Sequence, residues 1–181
     1  MKKLTVMFVL ALFLCILFST QTLADHTVKF SYDFNGSYHI DDNAKSNAQD
    51  VKPGFSVGYE YTVTNGAYEY GIGLEYQFTR EIEGNTGAQF YSIPLYGTIT
   101  RYFGDNQVKP YLTGRLGYNF MDGNTQFKGS SVSGGYYFGF GGGVRYTNYI
   151  VELLYSGSHC QPSLSNEMEY NKCALTFGYK F

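Results

Sequence analysis

Apolar and polar residues alternate with period two along most of the chain, most cleanly at its end. The odd positions there are Leu175, Phe177, Tyr179 and Phe181, and the even ones are Thr176, Gly178 and Lys180. Such alternation predicts a β-strand with one large apolar face and one small or polar face. Earlier stretches repeat it. In 27–38, Val28, Phe30, Tyr32 and Phe34 oppose Lys29, Ser31 and Asp33; in 53–63, Phe55, Val57, Tyr59 and Tyr61 oppose Ser56, Gly58 and Glu60. In 68–78, Tyr70, Ile72 and Leu74 oppose Glu69, Gly71 and Glu75. The strand over 90–103 is less regular, because Pro94 cannot donate a ladder hydrogen bond, and a bulge or kink is expected there. Three more strands place Leu112, Leu116 and Tyr118 opposite Arg115, Phe138 and Phe140 opposite Gly139, and Val151 and Leu153 opposite Glu152.

The connections sort by length. Thr64-Asn65-Gly66-Ala67 reads as a two-residue hairpin centred on Asn65-Gly66, since both residues tolerate positive φ. That pairing sets Thr62 opposite Glu69. Thr147-Asn148 is a minimal turn, and 104–109 is short. Long polar segments cover 39–52, 80–89, 121–133 and 158–171. Short and long connections therefore alternate, as they do when turns gather at one membrane face and loops at the other. Strands of roughly 10 to 12 residues also suit a tilted membrane crossing better than the common soluble strand of about 5 or 6. The expected fold is all-β: an eight-stranded antiparallel up-and-down transmembrane β-barrel over 25–181.

Composition agrees. Aromatic residues, all Tyr and Phe, make up 19% of the chain and charged residues 15%. The mean hydropathy of -0.23 argues against a bundle of membrane helices, but alternating strands average out on such a scale. Lys2 and Lys3 precede an apolar run that closes on Thr22-Leu23-Ala24, the pattern of a secretory signal peptide over 1–24. With a formal net charge of -2, no basic surface suited to nucleic acid is evident.

The segments IPLYGTITRYF, KPYLTGRLGYNF, GGYYFGFGGGVRY and ALTFGYKF, taken with the leader and the loop asymmetry, resemble the small eight-stranded outer-membrane β-barrel family. That class includes OmpA-like transmembrane domains, OmpX/Ail-type proteins and opacity-type proteins. The resemblance implies the bacterial outer membrane, contact with its lipid and lipopolysaccharide, and a structural or adhesin-like surface role. A host or phage partner would meet the outer loops. It further implies that Leu175, Phe177, Tyr179 and Phe181 form the C-terminal signal read by the barrel-assembly machinery.

The inward row gathers the strand charges: Lys29, Asp33, Glu60, Glu69, Glu75, Arg115, Arg145, Glu152, Lys172 and Lys180. A charge facing hydrocarbon costs about 2–4 kcal/mol for a mid-plane Arg or Lys, which explains the sorting. Asp33, Glu60, Glu75, Arg115, Arg145 and Glu152 are expected to form a lumen network, with Arg145 and Glu152 diagonal across the Thr147-Asn148 turn. Such a network fills the lumen or lines a narrow ion path. A soluble lipocalin-like barrel would invert both rows, leaving the carboxylates outside and a ligand cavity within.

Cys160 and Cys173 are the cysteines that follow the leader. In an oxidising compartment a disulfide between them is expected, closing a loop of about 14 residues and worth up to about 3 kcal/mol. A metal site with His159 is the alternative. Ser158-His159 invites comparison with barrel lipid A deacylases, but Gln161 and Pro162 stand where their His-x-Ser-Asn pattern has Ser and Asn. No catalytic residue, cofactor or metal ligand is assigned.

Overall fold

The computed structural model describes residues 24–42, 45–84, 87–104, 106–124, 133–160 and 167–181. The leader expected over 1–24 falls, apart from Ala24, outside them. The strands are β1 (Ala24–Asp42), β2 (Lys45–Val51), β3 (Gly54–Asn65), β4 (Tyr68–Glu81), β5 (Gln89–Tyr102), β6 (Val108–Gly123), β7 (Ser133–Tyr146), β8 (Tyr149–Cys160) and β9 (Glu167–Lys180). From β3 to β9 each pairs with the next, and β9 closes on β1.

The extra strand does not add a wall. The pairs Gly36↔Val51 and Asp33↔Gly54 belong to one register on β1, so β2 and β3 form a single wall interrupted at Lys52-Pro53. Pro53 has no N–H for the ladder, which explains the break. The gap is held by the Lys52 amide on the Glu81 carbonyl at 3.0 Å and by Lys52 Nζ on Glu81 Oε2 at 2.7 Å. The barrel is thus the eight-walled, up-and-down one expected, but most of the segment expected as a first long loop is β-hairpin.

Two bulges re-aim the walls. The β1–β9 register slips between Phe34 and Ser37, where Asn35 has φ 50°. Asn is one of the few residues that enters the left-handed region at low cost. The β4–β5 register slips between Gln77 and Arg80. At Pro94 itself the β4–β5 pairs skip from Leu74↔Leu95 to Gln77↔Ser92 within one register, while β5 pairs with β6 through Pro94↔Asn119 without a slip. The hairpin register also differs from expectation. Asn65 pairs with Tyr68 and Thr64 with Glu69, around Gly66 at φ 63°. The shift is even, so each side chain keeps its expected face.

The outward rows are exposed: Leu116 is 75% accessible and Leu153 56%, whereas the inward Glu152 is 1% accessible. The charges are therefore inside, and the inverted lipocalin-like arrangement does not hold. An apolar cluster of Tyr38, Val51, Ile82, Ala88, Phe90, Met121 and Tyr170 fills the loop end of the interior. At the opposite end the start of β1 meets the end of β9, with the His26 amide donating to the Phe181 carbonyl at 3.0 Å and the Phe181 amide returning to the His26 carbonyl at 2.8 Å.

Candidate functional site: the filled lumen

An inward-facing charge in a narrow barrel has neither lipid nor bulk water to meet, so it needs an opposite charge. The strands supply these in tiers. In the middle tier Lys29 Nζ lies 2.8 Å from Glu60 and 3.5 Å from Glu152, while Arg115 Nη2 lies 3.0 Å from Glu60 and 2.6 Å from Glu152. Two cations and two carboxylates alternate around a closed ring. Tyr96 donates to Glu60 and Tyr111 to Glu152, each at 2.9 Å. The Arg115 guanidinium lies 5.0 Å from the centre of the Tyr96 ring. That ring has room because its cross-strand partner is Gly73, where a Cβ would come within 2.5 Å of it.

The tier nearer the loops is a chain. Arg80 pairs with Asp33, and Lys172 Nζ joins Asp33 at 2.9 Å to Glu75 at 2.8 Å. Arg80 also donates to the carbonyls of Phe78 and Phe55, each at 2.7 Å. It was expected in a polar loop. The bulge after Gln77 turns it inward, a change of phase that the residue alternation does not reveal. Nearest the termini, Lys180 Nζ lies 2.5 Å from Glu69 and 2.8 Å from Asp25.

Of the expected network residues, Asp33, Glu60, Glu75, Arg115 and Glu152 are brought together. Arg145 is not. It pairs across the ladder with Ile150, donates from Nε to the Thr147 carbonyl at 2.9 Å, and lies 5.6 Å from the Tyr102 ring. Glu152 is its diagonal neighbour, as expected, but is taken up by Arg115, Tyr111 and Lys29.

The expected disulfide is also corrected. Cys173 has a free thiol. Cys173 pairs with Tyr155, and Cys160 with Met168, further along the same ladder. At about 3.3 Å per residue the two backbones stand far beyond the roughly 7 Å limit for bridged Cα atoms. Ser158 and His159 occupy opposite faces. Ser158 accepts from Asn119 Nδ2 at 3.0 Å within the barrel, while His159 stacks on Tyr136 at 4.9 Å and lies 3.3 Å from Glu169. Among the described residues no cluster of His, Cys, Asp and Glu could hold a metal ion. Leu175, Phe177 and Tyr179 line the outward row of β9, with Phe181 stacked against His26 at 5.8 Å.

No family model and no curated protein matches the chain. Solved structures do. Neisserial surface protein A superposes with a TM-score of 0.57 at 14% identity, over 87% of this chain and 99% of that one. Ail, the attachment invasion locus protein of Yersinia pestis, solved with the heparin analogue sucrose octasulfate, gives 0.51 at 16% identity, over 88% and 100%. The outer membrane enzyme PagL gives 0.52 at 14% identity, over 84% and 98%. The chain has the fold of the small eight-stranded outer-membrane β-barrels. At these identities the likeness is one of fold, which carries many activities.

Proposed function

We propose that this chain is an integral protein of the bacterial outer membrane, exported by the leader at 1–24, whose barrel is an anchor and whose loop end meets partners outside the cell. It has no pore: the lumen is closed by its own side chains. The observation that carries the reading is the ring of Lys29, Glu60, Arg115 and Glu152, each at most 6% accessible. An ion pathway needs water beside its charges, and here the charges spend their hydrogen bonds on one another. The apolar cluster around Phe90, Tyr170 and Met121 adds a second closure at the loop end. Lipopolysaccharide and a host or phage surface are the partner classes that the loops would meet, and the barrel-assembly machinery would read the C-terminal strand. The role is non-catalytic, since Ser158 faces the lumen and Gln161 replaces the serine that would follow His159.

Two measurements test this. Cell fractionation should recover the chain in outer membranes, released by detergent, with a gel mobility that changes on boiling. In planar bilayers the purified protein should give no steady conductance of porin size. A reproducible open-pore current would replace the anchor reading with a channel.

A further inference from the structure

The outer wall carries a recess that the lumen does not explain. It has a volume of about 530 Å³ and is bordered by Tyr70, Ile99, Leu116 and Phe138, with Gly97 and Gly114 at its floor. Both glycines occupy the outward row, where neighbouring positions are large: Leu95 and Ile99 flank Gly97 on β5, and Leu112 and Leu116 flank Gly114 on β6. The registers Ile99↔Gly114 and Gly97↔Leu116 make the two glycines diagonal neighbours. They open a trench between Ile99 and Leu116. Neither glycine is needed for backbone conformation or close approach. A Cβ on Gly97 would find its nearest atom at 3.8 Å, and one on Gly114 at 3.7 Å. Glycine in a strand weakens it, so an empty, lipid-facing pair of glycines calls for an occupant.

The end of the trench nearer the termini supplies the second clue. Arg101 lies on the same outward row of β5, opposite Leu112 and Tyr68. Its guanidinium sits 5.6 Å from the Tyr68 ring and 5.3 Å from the Phe103 ring, in the aromatic zone of the periplasmic rim. The inward cations Lys29, Arg80, Arg115, Lys172 and Lys180 each meet a carboxylate. Arg101 faces outward, at the level of the membrane interface, where the anionic group at hand is a lipid phosphate. The planar fork of Arg suits phosphate oxygens. Gly114 is the diagonal neighbour of Arg101, about 8 Å away by strand geometry.

We propose that the wall formed by β4 to β7 binds one glycerophospholipid of the periplasmic leaflet, its phosphate on Arg101 and one acyl chain in the Gly97–Gly114 trench. The inference rests on the outer-membrane reading given above. Tyr70, Ile99, Leu116 and Phe138 supply a mostly apolar channel, which favours an alkyl chain. Arg101 fixes which end of the lipid lies at the periplasmic rim.

The test is native mass spectrometry of the full chain, folded in mild detergent and titrated with phosphatidylglycerol or with diacylglycerol lacking the headgroup. The wild type should hold one phosphatidylglycerol. Filling the trench with Gly97→Leu and Gly114→Leu together should abolish the adduct, and Arg101→Gln should weaken it about tenfold, the loss of one charge-assisted contact. Diacylglycerol should bind no better than it does to Arg101→Gln. Boiling-dependent gel mobility confirms that each variant is folded, as the open space at both glycines leads one to expect. Equal phospholipid adducts on the wild type and the filled variant would overturn the site. So would a wild-type dimer that the filled variant loses while no lipid is bound, which would assign the trench to a second copy. Failure of the chain to fractionate with membranes would sink the outer-membrane reading, whereas membrane recovery without an adduct sinks the lipid site alone.

Discussion

Arg115 on β6 reaches past β7 to Glu152 on β8, with Nη2 2.6 Å from Oε1 inside the barrel. The same Glu152 also receives Tyr111 at 2.9 Å and Lys29 at 3.5 Å. Removing it, as Glu152→Ala, leaves two buried cations to share Glu60. Breaking an enclosed pair of this kind costs on the order of 3–5 kcal/mol. The adjacent Leu153 is 56% accessible and faces outward, so Leu153→Ala should be milder, while Leu153→Arg should cost more than the alanine because it puts a charge in hydrocarbon. Reversible urea unfolding in lipid or detergent orders the three variants. A silent Glu152→Ala beside a damaging Leu153→Ala would contradict the interior network.

A different substitution should stabilise. The turn between β7 and β8 places Thr147 at φ 51°, a region that a β-branched residue rarely enters. Its hydroxyl donates to the Tyr146 carbonyl at 2.7 Å, which offsets part of the strain. Thr147→Gly or Thr147→Asn keeps the two-residue loop and relieves the backbone, with an expected gain of about 0.5–1 kcal/mol. The unfolding midpoint measures it, and a fall in midpoint would show that the hydroxyl contact outweighs the strain.

How far these features could be read from the residues depends on what sets them. The outward and inward rows follow from alternation alone, which is why Glu60, Glu75, Arg115 and Glu152 are placed correctly with no structure. Pairing within the lumen is different. It depends on registers, and a ladder slip of two residues preserves faces while changing partners. Arg145 shows that even the expected register does not settle a pairing: it stands diagonal to Glu152 across the turn, as expected, yet turns to the Thr147 carbonyl. Bulges break the parity itself, so Arg80 lies hidden in an apparent loop. The hairpin of β1 and β2 is masked by its polar composition, because 39–50 carries no apolar row to announce a strand. The cysteines mislead in the other direction: compartment chemistry favours a bridge, but the β8–β9 register sets Cys160 and Cys173 apart.

That separation has its own consequence. Treating the folded protein with dithiothreitol should leave its unfolding midpoint unchanged, and Cys160→Ser and Cys173→Ser should each unfold like the parent. A midpoint that drops on reduction by the equivalent of about 2–4 kcal/mol would mean that the outer ends of β8 and β9 rearrange to form the bridge.

Phe181 sits at the seam where β9 closes on β1. Phe181 exchanges two backbone hydrogen bonds with His26, at 2.8 and 3.0 Å. Its ring stacks on the His26 ring at 5.8 Å and on Tyr179 at 6.4 Å. The backbone bonds need no particular side chain, so Phe181→Ser keeps them and removes only the aromatic that continues the outward row of Leu175, Phe177 and Tyr179. If the ring serves closure alone, the variant, once folded, should lose no more than about 0.5–1.5 kcal/mol, the scale of an aromatic contact. If it is also the signal for insertion, the variant should be exported normally yet accumulate unfolded in the periplasm, with a much larger loss of membrane-inserted barrel than the stability change explains. Comparing the yield of inserted barrel in cells with the unfolding midpoint of the same variant refolded in detergent separates the two roles. A normal yield in cells would remove the assembly role from Phe181.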